Sequence, residues 1–148
     1  MKKLLKAIPI PFAGVMLGLA ALGNLLQSYS EGVRLFFGAL AAIIWILLVL
    51  KAIFCWPGVK AAMDDPVVAS VSGTFPMATM LLAVYAKPFV GAAPARILWF
   101  AAIGLHVVMI LWFTAKFMVK LQMPKVFASH FIVYVGIVVA SLTALPMK

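Results

Sequence analysis

The chain alternates between long apolar stretches and short segments rich in polar residues, proline and glycine. A helix needs about 20 apolar residues to cross a bilayer, and five stretches meet that length: 8–28, 33–56, 67–86, 95–117 and 126–145. Short turns separate them, so adjacent spans are expected to run antiparallel. The pattern predicts an all-α membrane protein in which residues 1–148 form a single transmembrane domain of about five helices.

The third stretch departs from a regular span. Pro76 supplies no N–H and crowds the carbonyl of Ser72, while Gly73 removes a side chain in the same turn, so a kink is predicted there. Carbonyl groups freed in hydrocarbon need water, a hydroxyl or a neighbouring helix. Suitable hydroxyls lie at Ser70, Ser72, Thr74 and Thr79. An interrupted span is also typical of a substrate pathway, the alternative being a kink that serves packing alone.

The first stretch carries a GxxxG pair, Gly14 and Gly18, after a lysine-rich start. This spacing places both glycines on one helix face, where another helix can approach closely. A charged start before an apolar run also fits a cleavable signal peptide. Pro9 and the four later spans favour a retained membrane helix instead.

Composition supports the membrane class. With 67% hydrophobic and 10% charged residues, the chain has too little polar surface to coat a soluble globule. The net charge is +9, and the cations stand at the ends of the apolar stretches, where they set orientation and meet anionic headgroups. Nucleic-acid binding is therefore not expected. Eight of the 12 Lys and Arg fall on the side of the amino terminus, which predicts a multi-pass protein of a bacterial-type inner (plasma) membrane with a cytoplasmic amino terminus.

The residues between the second and third stretches are expected to form a loop. Trp56, Pro57 and Gly58 are predicted to end the second helix. The adjacent Asp64 and Asp65 suggest acid–base or metal chemistry, but neighbouring aspartates in a loop are ordinarily solvated or cap the next helix. Capping or solvation is the preferred interpretation.

Two histidines raise the alternative of a haem enzyme. His106 lies near the middle of the fourth span and His130 near the start of the fifth. Counted from the nearest interfacial lysines, the two depths differ by about 13 Å at ~1.5 Å per residue, which disfavours a shared iron. His106 is instead expected to be a neutral polar group hydrogen-bonded to a neighbouring helix, or a residue that titrates beside a permeating ion.

The remaining chemistry points to passive transport. The apolar stretches contain no Asp or Glu, whereas proton-coupled carriers commonly use an intramembrane carboxylate. No glycine-rich phosphate loop is present, and the single cysteine, Cys55, cannot form an internal disulfide or a cysteine metal cluster. We expect no enzymatic activity, no metal and no cofactor, and a channel-like route for anions.

Three segments resemble the tellurite-resistance/dicarboxylate transporter family, which is related to the slow anion channels. They are Pro11-Phe12-Ala13-Gly14-Val15-Met16-Leu17-Gly18-Leu19-Ala20-Ala21-Leu22, then Phe75-Pro76-Met77-Ala78-Thr79-Met80, and Val133-Tyr134-Val135-Gly136-Ile137-Val138-Val139-Ala140-Ser141. They follow the family's order. The chain differs from the family at Ala128 and His130, where proline and tryptophan are frequent.

The resemblance implies half of a ten-helix, quasi-fivefold anion channel fold. In that fold odd-numbered helices surround the pore, even-numbered helices form an outer ring, and members assemble as trimers. By matching positions, the pore-lining candidates are Gly14, Gly18, Pro76, Thr79 and Gly136. The family's gate lies beyond the fifth helix, so the chain is expected to be a truncated member that needs a homo-oligomer or a carboxy-terminal half.

The sequence therefore predicts transport of small anions such as a C4-dicarboxylate, sulfite or a tellurite-type oxyanion. The alternative is an inactive fragment or accessory assembly subunit that packs on a partner through the face of Gly14 and Gly18. The expected partners are the lipid bilayer and small anions.

Overall fold

The structure is a computed structural model that describes residues 7–119 and 128–147. These residues fold into helices and short turns, without a strand among them. The helices are α1 (Phe12–Leu25), α2 (Glu31–Phe54), α3 (Trp56–Ala62), α4 (Pro66–Ser72), α5 (Thr74–Val90), α6 (Ala92–Phe113), α7 (His130–Val135) and α8 (Ile137–Met147). A 3₁₀ turn, Leu26–Ser28, follows α1, and a π turn, Thr114–Met118, extends α6.

Three helical segments of the described chain are long and apolar enough to cross a membrane. They are α2, the α4–α5 pair over Pro66–Val90, and α6 with its π turn over Ala92–Met118. They correspond to the predicted second, third and fourth spans. The segments Phe12–Ser28 and His130–Ala144 are apolar but shorter. The all-helical prediction is confirmed, and apolar helices of spanning length support the membrane class.

The helix formed by α4 and α5 is the centre of the structure. α5 packs against α1, α2, α6 and α8, and α4 packs against α1 and α7. About 67% of the apolar window in Pro66–Val90 is buried, compared with 22% in α2 and 17% in Ala92–Met118. The interrupted helix is thus enclosed by protein, and α2 and α6 lie on the outside.

Side-chain contacts show that successive helices alternate in direction. At one end, the Lys51 ammonium group donates to the carbonyl of Ile8, and Lys116 donates to Asp64 Oδ1 at 2.5 Å. These contacts join the start of the first predicted span to the end of the second, and the start of the third to the end of the fourth. At the other end, Lys87 donates to the carbonyl of Pro146 at 2.6 Å.

The described cations divide evenly between the two ends. Lys51, Lys60 and Lys116 lie at the end that includes Ile8, and Arg34, Lys87 and Arg96 at the opposite end. The sequence has more cations on the side of the amino terminus because of Lys2, Lys3, Lys6, Lys120 and Lys125. These five residues and Lys148 lie outside the described residues. The cytoplasmic position of the amino terminus stays a prediction.

Two of the predicted boundaries are wrong because prolines act within first and last turns. Trp56 and Pro57 begin a new helix, α3, rather than a loop, since proline fits the first turn of a helix. α5 continues through Pro88 to Val90 and ends where Gly91 adopts φ +90°. That backbone conformation favours glycine and stops the helix.

Asp65 caps the interrupted helix at its start. Its carboxylate accepts hydrogen bonds from the backbone N–H groups of Val67 at 2.8 Å and Val68 at 3.2 Å. Pro66 occupies the first turn, where its missing N–H removes no helical bond. The capping interpretation of this aspartate is confirmed.

We expect Asp65→Ala to lower the free energy of unfolding by about 1 kcal/mol, because two backbone N–H groups lose their acceptor. Thermal unfolding of the detergent-purified protein measures this. Asp65→Asn keeps an acceptor and should lose much less. Equal loss in both variants would contradict a capping role.

Candidate functional site

Two helices of the described chain are interrupted at glycines of similar backbone geometry. Gly73, between α4 and α5, has φ −56° and ψ −21°, and Gly136, between α7 and α8, has φ −57° and ψ −25°. Each break includes a hydrogen bond of the tighter 3₁₀ type: Gly73 N to Ser70 O at 3.2 Å, and Val139 N to Gly136 O at 3.1 Å. Short 3₁₀ segments within long helices often mark a hinge.

The break at Gly73 explains how Pro76 fits inside a buried helix. A proline in a helix interior removes a hydrogen bond and clashes with the preceding turn. Because α5 begins at Thr74, Pro76 falls in a first turn, where N–H groups have no helical acceptor. The predicted interruption is therefore present, three residues before the proline that requires it.

The hydroxyls around the break serve the carbonyl groups of the preceding turn. Ser70 donates to the Val67 carbonyl, and Ser72 donates to the Ala69 carbonyl. Thr74 donates to the Val71 carbonyl, and Thr79 donates to the Phe75 carbonyl. All four bonds are 2.6–2.8 Å long. Such back-bonding bends helices. These hydroxyls thus satisfy carbonyl groups next to the break, but none of these four bonds reaches the Ser72 carbonyl, which Pro76 leaves without its usual helical donor.

His106 of α6 lies against both breaks. It is fully buried, and the backbone groups of Gly73 and Val133 approach its imidazole. At Gly136 the fit is closest: a Cβ atom built there would lie 2.5 Å from His106 Cε1 and 2.7 Å from Met77 Sδ. The imidazole therefore occupies space that only a glycine leaves open, and it joins α6 to the two interrupted helices.

The hydrogen bond predicted for His106 stays a prediction. The backbone groups of Gly73 and Val133 approach the ring, but neither ring nitrogen makes a hydrogen bond of ordinary geometry to a described residue. A buried polar group without a partner is costly in a low-dielectric interior. The site thus holds a polar side chain at the junction of two helix breaks, beside backbone groups of both interrupted helices.

The two histidines have separate surroundings. His130 packs edge-on against Phe113, with ring centroids 5.0 Å apart, whereas His106 faces Gly136. Phe113 lies seven residues beyond His106 on α6, or about 10 Å along the helix axis. No group of three or more potential metal ligands occurs in the part of the chain that the structure describes. The structure does not bring the residues of the haem alternative together.

Gly14 and Gly18 lie on an open face of α1. A Cβ built on either would have no neighbouring atom within 4 Å. The opposite face of α1 carries buried Ala13, Met16 and Ala20, which belong to a cluster with residues of α2 and α5. This face is free of contact with the described helices.

The other three pore-lining candidates are buried between helices. Thr79 accepts a hydrogen bond of 3.0 Å from Trp45 Nε1, so its hydroxyl points toward α2. Pro76 is fully buried, and Gly136 is covered by His106. Of the five candidates, Gly14 and Gly18 are the two with space around them in the described residues. A pore-lining role stays a prediction for all five.

Several contacts at the site could not be read from the sequence. Trp99 Nε1 donates to Thr143 Oγ1 at 2.7 Å, and Tyr85 donates to the Ala20 carbonyl at 2.8 Å while its ring lies under Arg34. The available signal was general: Trp and Tyr in apolar helices need a partner for their polar atom when buried. It does not say which partner.

Comparisons with protein-family models, curated proteins and solved structures find no match. The family resemblance of the three segments therefore remains a resemblance.

We expect Gly136→Ala to lower the free energy of unfolding by about 1–3 kcal/mol, the usual cost of overpacking a core. The added methyl group would lie 2.5 Å from Cε1 of the fully buried imidazole, so neighbouring groups have to shift. Gly104→Ala is the matched control, because that glycine has open space around it and alanine favours a helix.

A double-mutant cycle with His106→Ala isolates the contact. The cost of Gly136→Ala should fall when the imidazole is absent. An unchanged cost, or equal stability of Gly136→Ala and Gly104→Ala, would contradict the wedge position of His106.

Proposed function

We propose that the chain is a five-span membrane protein of the anion channel/transporter class, forming half of a ten-helix arrangement with a channel-like route for small anions. The observation that carries the proposal is the order of the helices. The first, third and fifth predicted spans contact one another in sequence through α1, α4–α5 and α7–α8, whereas α2 and α6 stand outside. An inner row with an outer support layer is the arrangement that the family resemblance implies.

The distribution of charge supports the same proposal. All three acidic residues lie at helix ends: Glu31 opens α2, and Asp64 and Asp65 precede α4. Fixed negative charge inside the helices would repel an anion, and none is present in the described spans. The candidate anions are a C4-dicarboxylate, sulfite or a tellurite-type oxyanion.

A second candidate function is favoured by the open glycine face. Gly14 and Gly18 have no neighbour within 4 Å, and small residues at this spacing allow close helix–helix contact in membranes. We propose that this face receives further helices, from another copy or a second subunit. An accessory subunit would use the same face for assembly without conducting ions.

Flux measurements on liposomes separate the two functions. The protein is reconstituted into vesicles that contain radiolabelled malate or sulfite. The measurement is made with and without a co-expressed second polypeptide that supplies the other half of the ten-helix arrangement. If Gly18 lines the route, Gly18→Leu should reduce flux at least tenfold, because the leucine fills open space on the inner row. Partner-dependent stability without flux would favour the accessory function.

Gly104→Leu is the matched control for this experiment. Gly104 is also exposed with nothing within 4 Å, but it lies on the outer helix α6. Its leucine variant should keep the flux of the parent protein. Equal losses in both variants would contradict a specific role for the face of Gly14 and Gly18.

A further inference from the structure

A cavity of about 610 Å³ opens between the two outer helices, away from the glycine face. The cavity lies between α6 and the carboxy-terminal half of α2, and Phe75 of the central helix also lines it. Its side walls are apolar, with Leu48, Leu105, Val108 and Met109 among them. The volume lies within the range of pockets that hold small molecules.

One end of the cavity is cationic. Lys51, Lys60 and Lys116 line it together with a single acidic residue, Asp64. The Lys116 ammonium group forms an ion pair of 2.5 Å with Asp64, and this contact lowers the pKa of the Asp64 carboxyl group. The Asp64 carboxylate therefore offsets the charge of Lys116, and the remaining positive charge at this end is that of Lys51 and the exposed Lys60.

Two tryptophans stand beside the lysines. Trp56 is 60% exposed and Trp112 is 37% exposed, and the Lys116 ammonium group lies 4.8 Å from the centroid of the Trp112 ring. Tryptophan and lysine are enriched where a membrane protein meets the headgroup layer. The cationic end is thus placed at the membrane surface, with the apolar length extending toward the bilayer centre.

The open side of the cavity faces away from the other helices. Val108 is 60% and Leu105 43% exposed, and both belong to α6, whose apolar window is the least buried of the three long helices. A soluble anion would use only the lysines. An amphiphile with an anionic headgroup and acyl chains matches both the charged end and the apolar walls.

From this charge complementarity and shape we propose that the cavity between α2 and α6 binds an anionic phospholipid, with its phosphate near Lys60 and an acyl chain along Leu105 and Val108. Basic pockets between membrane helices on one side of the bilayer bind acidic lipids in this way. The inference needs the membrane setting of the protein but not anion transport.

Native mass spectrometry of the detergent-purified full chain tests the headgroup contact. Phosphatidylglycerol should bind more tightly than phosphatidylcholine with the same acyl chains. Lys60→Ala should weaken phosphatidylglycerol about fivefold, as expected for one lysine near an anionic lipid, and leave phosphatidylcholine unchanged. Arg96→Ala removes an exposed charge at the opposite end and should change neither.

A second pair of variants tests the apolar walls. Val108→Trp fills the cavity and should weaken both lipids, whereas Val107→Trp alters a neighbouring exposed residue that does not line it and should have no effect. Inorganic phosphate at millimolar concentration should not displace the lipid.

Three results would overturn the proposal. They are equal affinity for the two lipids, equal effects of Lys60→Ala and Arg96→Ala, and phosphate binding that depends on Lys60 but not on Val108. The last result would mean that the lysines bind a free anion rather than a lipid. None of these measurements depends on anion flux.

Discussion

The structure depends on enclosing an interrupted helix within protein. A proline and a glycine in the third span free backbone polar groups that hydrocarbon cannot satisfy, so this helix has to be surrounded by other helices. α4 and α5 accordingly contact elements of all four other predicted spans. The outer position of α2 and α6 follows, because the unbroken helices satisfy their own backbones and tolerate exposure.

His106 connects the two interrupted helices through size complementarity. A large imidazole on α6 fits against Gly136, and the backbone of Gly73 lies nearby. Packing of this kind resists change, since interiors are nearly as dense as crystals. Its ring nitrogens lie beside the backbone groups of Gly73 and Val133 without a hydrogen bond of ordinary geometry to a described residue. The junction therefore combines a tight steric fit with a buried polar side chain.

The sequence was sufficient for features that depend on composition along the chain. Apolar length located the three helical segments that are long enough to cross a membrane. Pro76 with Gly73 located the interruption, because the missing N–H is a local property of the residue. Local rules also identified Asp65 as a cap. They failed at Pro57 and Pro88, where the position of proline within a turn decides between stopping and starting a helix.

Contacts between helices could not be obtained from one sequence. The sequence shows that Thr79 lies on α5, but only the rotation of α5 about its axis brings its hydroxyl to Trp45. The same holds for His106, whose relation to Gly136 depends on how two helices cross. Helical periodicity specifies a face, but not the residue that it meets.

The bend between α2 and α3 shelters the single sulfhydryl group of the chain. Cys55 stands between Phe54 and Trp56 and is only 7% exposed. Because the sulfur is buried, alkylating and oxidising reagents have little access to this side chain while the fold is intact. Its reactivity toward a maleimide would consequently report unfolding of the α2–α3 corner, and thiols introduced elsewhere on the surface would react first.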